Sequence, residues 1–79
     1  MAIMEKNQSE AMEIEIERGS RAAGRRVRDL DLPDGAILGS VERKGEIVIP
    51  RGDTEIQVGD RVVVFALPKA IGRTADFFD

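Results

Sequence analysis

The sequence predicts a small α+β domain: a mostly antiparallel β-sheet with two helices, in the order strand, helix, strand, strand, strand, helix. Three observations carry this. Met12, Ile14 and Ile16 alternate with Glu13, Glu15 and Glu17, the period of two expected of a half-buried strand. Ala23, Val27 and Leu30 recur at i, i+4 and i+7, one face of a helix. Three β-prone runs then follow, at 36–43, 46–50 and 61–67, separated by turn-forming residues.

The first strand ends at Gly19-Ser20. Ser20 is placed to cap the helix that follows, since a serine hydroxyl accepts from the free amides of a first turn. Gly24 inside this helix costs about 1 kcal/mol relative to alanine and allows close backbone packing. Pro33 cannot continue a helix, and Asp34-Gly35 reads as a turn into "AILGSVER". Lys44-Gly45 is a tight hairpin into "EIVIP", where Pro50 ends the strand because it has no ladder donor. "RVVVFAL" is the most β-prone segment, and its unbroken apolar character predicts burial on both faces. Pro68 suits the first turn of a last helix, in which Ile71, Ala75 and Phe78 share a face. Residues 1–10 read as a disordered arm or linker end, and 11–79 as a single domain.

Composition narrows the function. The 79 residues contain no cysteine and no histidine. Disulfides, the commonest metal ligand and the commonest general base are therefore missing. Serines stand at positions 9, 20 and 40 with no imidazole or thiol to activate them. Asp53 and Asp60 sit in turn contexts, where aspartate bonds nearby backbone, so no catalytic residue is assigned and the chain is read as non-enzymatic. No apolar run approaches the ~18 residues of a membrane span, and no secretory signal opens the sequence, so a cytoplasmic location is expected.

Two charged stretches need weighing. "DLDLPDG" has acids at its first, third and sixth positions, which breaks the calcium-loop pattern, and its leucines read as core contacts. "RGSRAAGRRVR" carries five arginines between Arg18 and Arg28. Arginine suits phosphate, yet the three phenylalanines, at 65, 77 and 78, do not interleave with them as base platforms would. The net charge of −3 also gives no general attraction to nucleic acid. A small nucleic-acid-binding domain using this cluster is accordingly the weakest alternative.

Taken in order, the motifs resemble a known family. An acidic first strand ends in "RGS"; "AGRRVRDLDLP" follows, then "VERKGEIVIPRGDTEIQVGDRVVVFA". From about Glu13 to Ile71 this resembles the C-terminal regulatory domain of Trk-type potassium uptake proteins, the RCK C-terminal domain. The resemblance implies a regulatory, dimerising module of a potassium or cation transport system. Its expected partners are a second copy and a membrane transporter or channel subunit, with no insertion into the membrane itself. It also implies a small effector, such as a cyclic dinucleotide, in the cleft between paired domains. The matching positions are Ile37, Leu38, Arg43, Ile49, Pro50 and Arg51. Members that bind the dinucleotide tend to have asparagine before the proline and a histidine further on; here Ile49 takes the first place and histidine is absent. Gly59 and Asp60 are implied to set the turn into the central strand. A ligand-free assembly domain is the alternative with the same fold.

Overall fold

The computed structural model describes residues 9–79. Four strands form one antiparallel sheet: β1 (Glu10–Glu15), β2 (Ala36–Arg43), β3 (Glu46–Val48) and β4 (Arg61–Ala66), in the spatial order β1-β4-β2-β3. One α-helix, α1 (Ile71–Phe78), follows the sheet. The predicted fold class and element order hold, with the first helix reduced to a 3-10 turn at Val27–Asp29. Residues 1–8 of the expected arm lie outside the described residues, and Glu10 already belongs to β1.

The alternation of β1 is realised as read. Met12 and Ile14 are half-buried and Ile16 is buried, while Glu13, Glu15 and Glu17 are exposed. β1 pairs with β4, setting Ile14 against Val62 and Met12 against Val64. β2 pairs with the other side of β4, with Val41 against Val62 and Leu38 against Val64. One face of the sheet therefore carries Met12, Ile14, Leu38, Val41, Val62 and Val64, and all of these but Met12 pack with Ile16, Ala22, Ile56, Phe77 and Phe78 in the core.

The helix expected over the arginine-rich segment does not form, and its hydrogen bonds show why. Gly24 has φ +82°, outside the helical region, and its N–H donates to the Ile56 carbonyl at 2.7 Å. The Ile56 N–H donates back to Arg25 O, Val27 N–H donates to Thr54 O, and Arg28 N–H donates to Gly52 O. Donors that would have turned back four residues are thus spent on the 52–56 segment, and tertiary pairing overrides local periodicity. The apolar positions still face inward: Ala23, Val27 and Leu30 pack against the core, as does Leu32. Ser20 does cap the local turn, its Oγ accepting from Ala22 N–H at 3.2 Å.

Two further differences concern burial. The inward face of α1 is Thr74, Phe77 and Phe78, following the buried Ala70; Ala75 is exposed and Ile71 half-buried. β4 is buried on one face only: Val62, Val64 and Ala66 are covered, whereas Phe65 is 48% exposed. The continuous apolar run thus faces a packed core on one side and an open surface on the other.

Candidate functional site

Strand register assembles the open face. Phe65 lies between Ala11 of β1 and Ile37 of β2. The next row is Glu13, Val63 and Ser40, and the third is Glu15, Arg61, Glu42 and Ile47. The face is therefore apolar at one end and charged at the other. Ile37 is 65% exposed, Ile47 63%, and Ile49, just beyond β3, 72%. Large apolar side chains gathered on one exposed face signal an interaction surface more than scattered ones do.

Gly39 shapes the apolar end. It sits where the β2–β4 register shifts between Leu38 and Ser40. A Cβ there would lie 2.4 Å from the nearest ring carbon of Phe65. The ring occupies the space that any other residue at position 39 would fill, so the glycine lets an aromatic lie close to the backbone. Sequence reasoning missed both residues. The available signal was a glycine inside a strand, which marks a bulge or a close approach.

The six positions matched to a ligand cleft are not all presented alike. Ile37, Ile49 and Arg51 are exposed; Pro50 is half-buried. Leu38 points to the opposite side of β2 and packs on the core. Arg43 is already engaged. Its Nε donates to Asp60 Oδ1 at 2.9 Å, and its Nη2 donates to Asp60 Oδ2 and to the Glu55 carbonyl, both at 2.8 Å. The Arg51 N–H donates to Thr54 Oγ1 at 2.9 Å, closing the turn after Pro50.

Asp60 and Gly59 make the turn into β4. Gly59 has φ +94°, a conformation that favours glycine, and its N–H donates to Ile16 O. The Asp60 carboxylate is almost fully buried and also accepts from the Gln57 N–H at 2.9 Å. Its hydrogen bonds to Arg43 hold its pKa below the ordinary carboxylate value; burial opposes this, and the Gln57 amide adds to the lowering. The same bond raises the pKa of Arg43. This is the one ion pair among the described residues, and it fastens the end of β2 to the start of β4.

The five arginines from Arg18 to Arg28 are all exposed. Arg21 lies over the Phe77 ring, 5.3 Å from its centroid, which uses that guanidinium as a cover for the core. A concavity of ≈ 220 Å³ lined by Glu15, Glu17, Arg18, Gly19, Ser20, Phe78 and Asp79 lies beside β1, away from Ile37 and Ile49. No helix among the described residues is long and apolar enough to cross a membrane.

Comparison with known proteins places this geometry. Residues 11–79 match the TrkA-C domain family. A Trk system potassium uptake protein TrkA homolog of Archaeoglobus fulgidus is 44% identical over 55 residues, 70% of this chain and 13% of that protein. The Trk system potassium uptake protein TrkA of Azorhizobium caulinodans is 42% identical over 69 residues, 87% of this chain and 15% of that protein. The chain thus spans a small part of the length of these relatives. Among solved structures, the RCK_C domain dimer of S. agalactiae BusR in complex with c-di-AMP superposes with a TM-score of 0.72 at 21% identity, covering 86% of this chain and 93% of that one. At that identity the likeness establishes the fold. The profile match over nearly the whole described chain, with the ordered motifs and the four-stranded sheet, shows that this chain belongs to the TrkA-C, or RCK C-terminal, domain family of non-enzymatic regulatory domains.

Proposed function

We propose that this chain is a regulatory module of a Trk-type potassium or cation uptake system. It acts as a pair of copies on the cytoplasmic side of the membrane, next to a transporter or channel subunit. The observation that carries the reading is the open sheet face that exposes Ile37, Phe65 and Ile47, opposite the face that builds the core. A small domain with so much apolar surface in water gains stability from a partner of its own kind.

The effector belongs in the cleft between the two copies, bordered by Ile37, Ile49, Pro50 and Arg51, with Leu38 turned away into the core. The structural neighbour with c-di-AMP supports a cyclic dinucleotide as the ligand class. Apolar contacts from Ile37 and Ile49 would meet the bases, and Arg51 would meet phosphate. Arg43 has its Nε and Nη2 donors committed to Asp60 and Glu55, which leaves Nη1 for a ligand. Binding across the pair would favour one relative orientation of the copies and so bias the attached transporter.

A second reading, pairing without a ligand, is favoured by one observation: the Nε–Nη2 edge of Arg43 is held within the chain by Asp60 and Glu55. Light scattering with thermal unfolding, repeated with cyclic di-AMP, cyclic di-GMP, adenine nucleotides and divalent cations, separates the two. A dimer whose melting temperature rises with one compound supports the regulated reading, since a ligand of the folded state stabilises it. A dimer indifferent to the panel supports assembly alone, and a monomer at all concentrations overturns both.

A further inference from the structure

The free edge of β1 is an unpartnered feature with its own chemistry. Ile16 N–H donates to Asp60 O, and Gly59 N–H donates to Ile16 O, so the backbone of Ile16 faces β4. Alternation along the strand turns Met12 and Ile14 the same way. The N–H and C=O groups of Ala11, Glu13 and Glu15 then point outward, where β1 has no neighbouring strand among the described residues.

Beside this edge runs a groove of ≈ 310 Å³ between β1 and α1, whose lining includes the apolar Met12, Ile14 and Phe78 and the acidic Glu13 and Glu15. An added strand would alternate between two environments. Its residues on the α1 side would meet Met12, Ile14 and Phe78. Those on the other side would lie next to Ala11, Glu13 and Glu15. The first environment selects apolar side chains and the second selects cations, because like charges side by side on paired strands repel. A second copy of β1 is a poor occupant for that reason: it would set glutamates beside glutamates.

We propose that the β1 edge is a docking site for an extended segment of a partner protein in which basic and apolar residues alternate. The segment adds a fifth strand to the sheet; main-chain hydrogen bonds supply the register, and the Glu13–Glu15 pair selects the charge.

The test uses the full chain and capped peptides the length of β1, six residues. One alternates lysine with valine and the other glutamate with valine. Binding is followed by fluorescence anisotropy, and the contact by amide hydrogen exchange. The lysine peptide is expected to bind at least about tenfold more tightly, to weaken with added salt, and to protect the amides of Ala11, Glu13 and Glu15. The exposed double substitution Glu13→Lys/Glu15→Lys, with its fold checked by circular dichroism, is expected to invert the preference. Equal binding of the two peptides, protection confined to other segments, or a preference unchanged by the double substitution would overturn the proposal. So would protection of these amides by raised protein concentration alone, which would assign the edge to a second copy.

Discussion

Arg43 and Asp60, seventeen residues apart, meet in a two-pronged ion pair with bonds of 2.9 and 2.8 Å. The carboxylate is buried while the arginine is about a quarter exposed, its side chain at 28%. Removing the arginine leaves a buried charge with only the Gln57 amide. Arg43→Met is therefore expected to destabilise the domain by about 2–3 kcal/mol, measured by urea unfolding. Arg43→Lys keeps the charge but loses the planar fork and is expected to recover only part of that. Equal stability of the methionine variant and the parent would show that the pair is neutral.

The same pair makes the domain acid-sensitive in one direction. The folded state holds Asp60 ionised to lower pH than the unfolded chain does. As pH falls below the ordinary carboxylate range, the unfolded chain takes up the proton first, and stability is lost until pH has passed the depressed folded value. Above that range the contribution is complete and flat. Asp60→Asn is expected to be less stable at neutral pH and to show a shallower acid loss, read from unfolding curves between pH 2 and 7, a window of about five units spanning the reference carboxylate values. An acid limb as steep as the parent's would assign the loss to other carboxylates.

The β2–β3 hairpin turns on two left-handed residues, Lys44 at φ 53° and Gly45 at φ 81°. This is the two-residue turn that matches strand twist, and it favours Asn-Gly. Lys44→Asn is expected to stabilise by about 0.5–1 kcal/mol, because lysine bears a steric cost in this conformation that asparagine bears less. Gly45→Ala is expected to destabilise by about 1 kcal/mol or more. Thermal melts of the two variants, moving in opposite directions, check the assignment.

What was legible in the sequence follows from which forces are local. The alternation at Met12–Ile16 and the Lys44-Gly45 turn each rest on neighbouring residues and each matches the sheet, while the strand expected to run to Pro50 ends two residues earlier, at Val48. The segment around Gly24 was misread because its apolar spacing fits a helix, while its amides bond to residues 52–56, a pairing that no local pattern encodes. The candidate site was less legible. Ile37 and Ile49 were singled out through a family resemblance and are exposed, but the engagement of Arg43 by Asp60 depends on strand register. Phe65 looked like core because a run of apolar residues does not reveal which face is left open.

Gly39 and Phe65 form a unit that a double-mutant cycle can detect. Alanine at 39 would collide with the ring and push it off the sheet. Gly39→Ala is expected to cost about 1 kcal/mol in the parent. In a Phe65→Ala background the obstruction is gone and the substitution is expected to be neutral or slightly stabilising, through reduced freedom of the unfolded chain. A coupling of about 1 kcal/mol between the two sites would confirm their contact. Additive effects would mean that the ring lies elsewhere in solution.

The two faces of the sheet are expected to respond oppositely to charge. Val64 is fully buried, and Val64→Glu places an unpaired carboxylate in the core, so the chain is expected to lose cooperative unfolding. Ile37 is on the open face and 65% exposed, so Ile37→Glu leaves the single chain's core untouched. Its circular dichroism spectrum is expected to match the parent's. If two copies meet through this face, however, the substitution buries a carboxylate in each half of the interface. Light scattering is then expected to show single chains at concentrations where the parent is paired, and the parent's melting temperature, but not the variant's, is expected to rise with concentration. A paired Ile37→Glu variant with the parent's concentration dependence would remove the open face as the contact, and would direct attention to the Pro50–Arg51 turn or the exposed edge of β3.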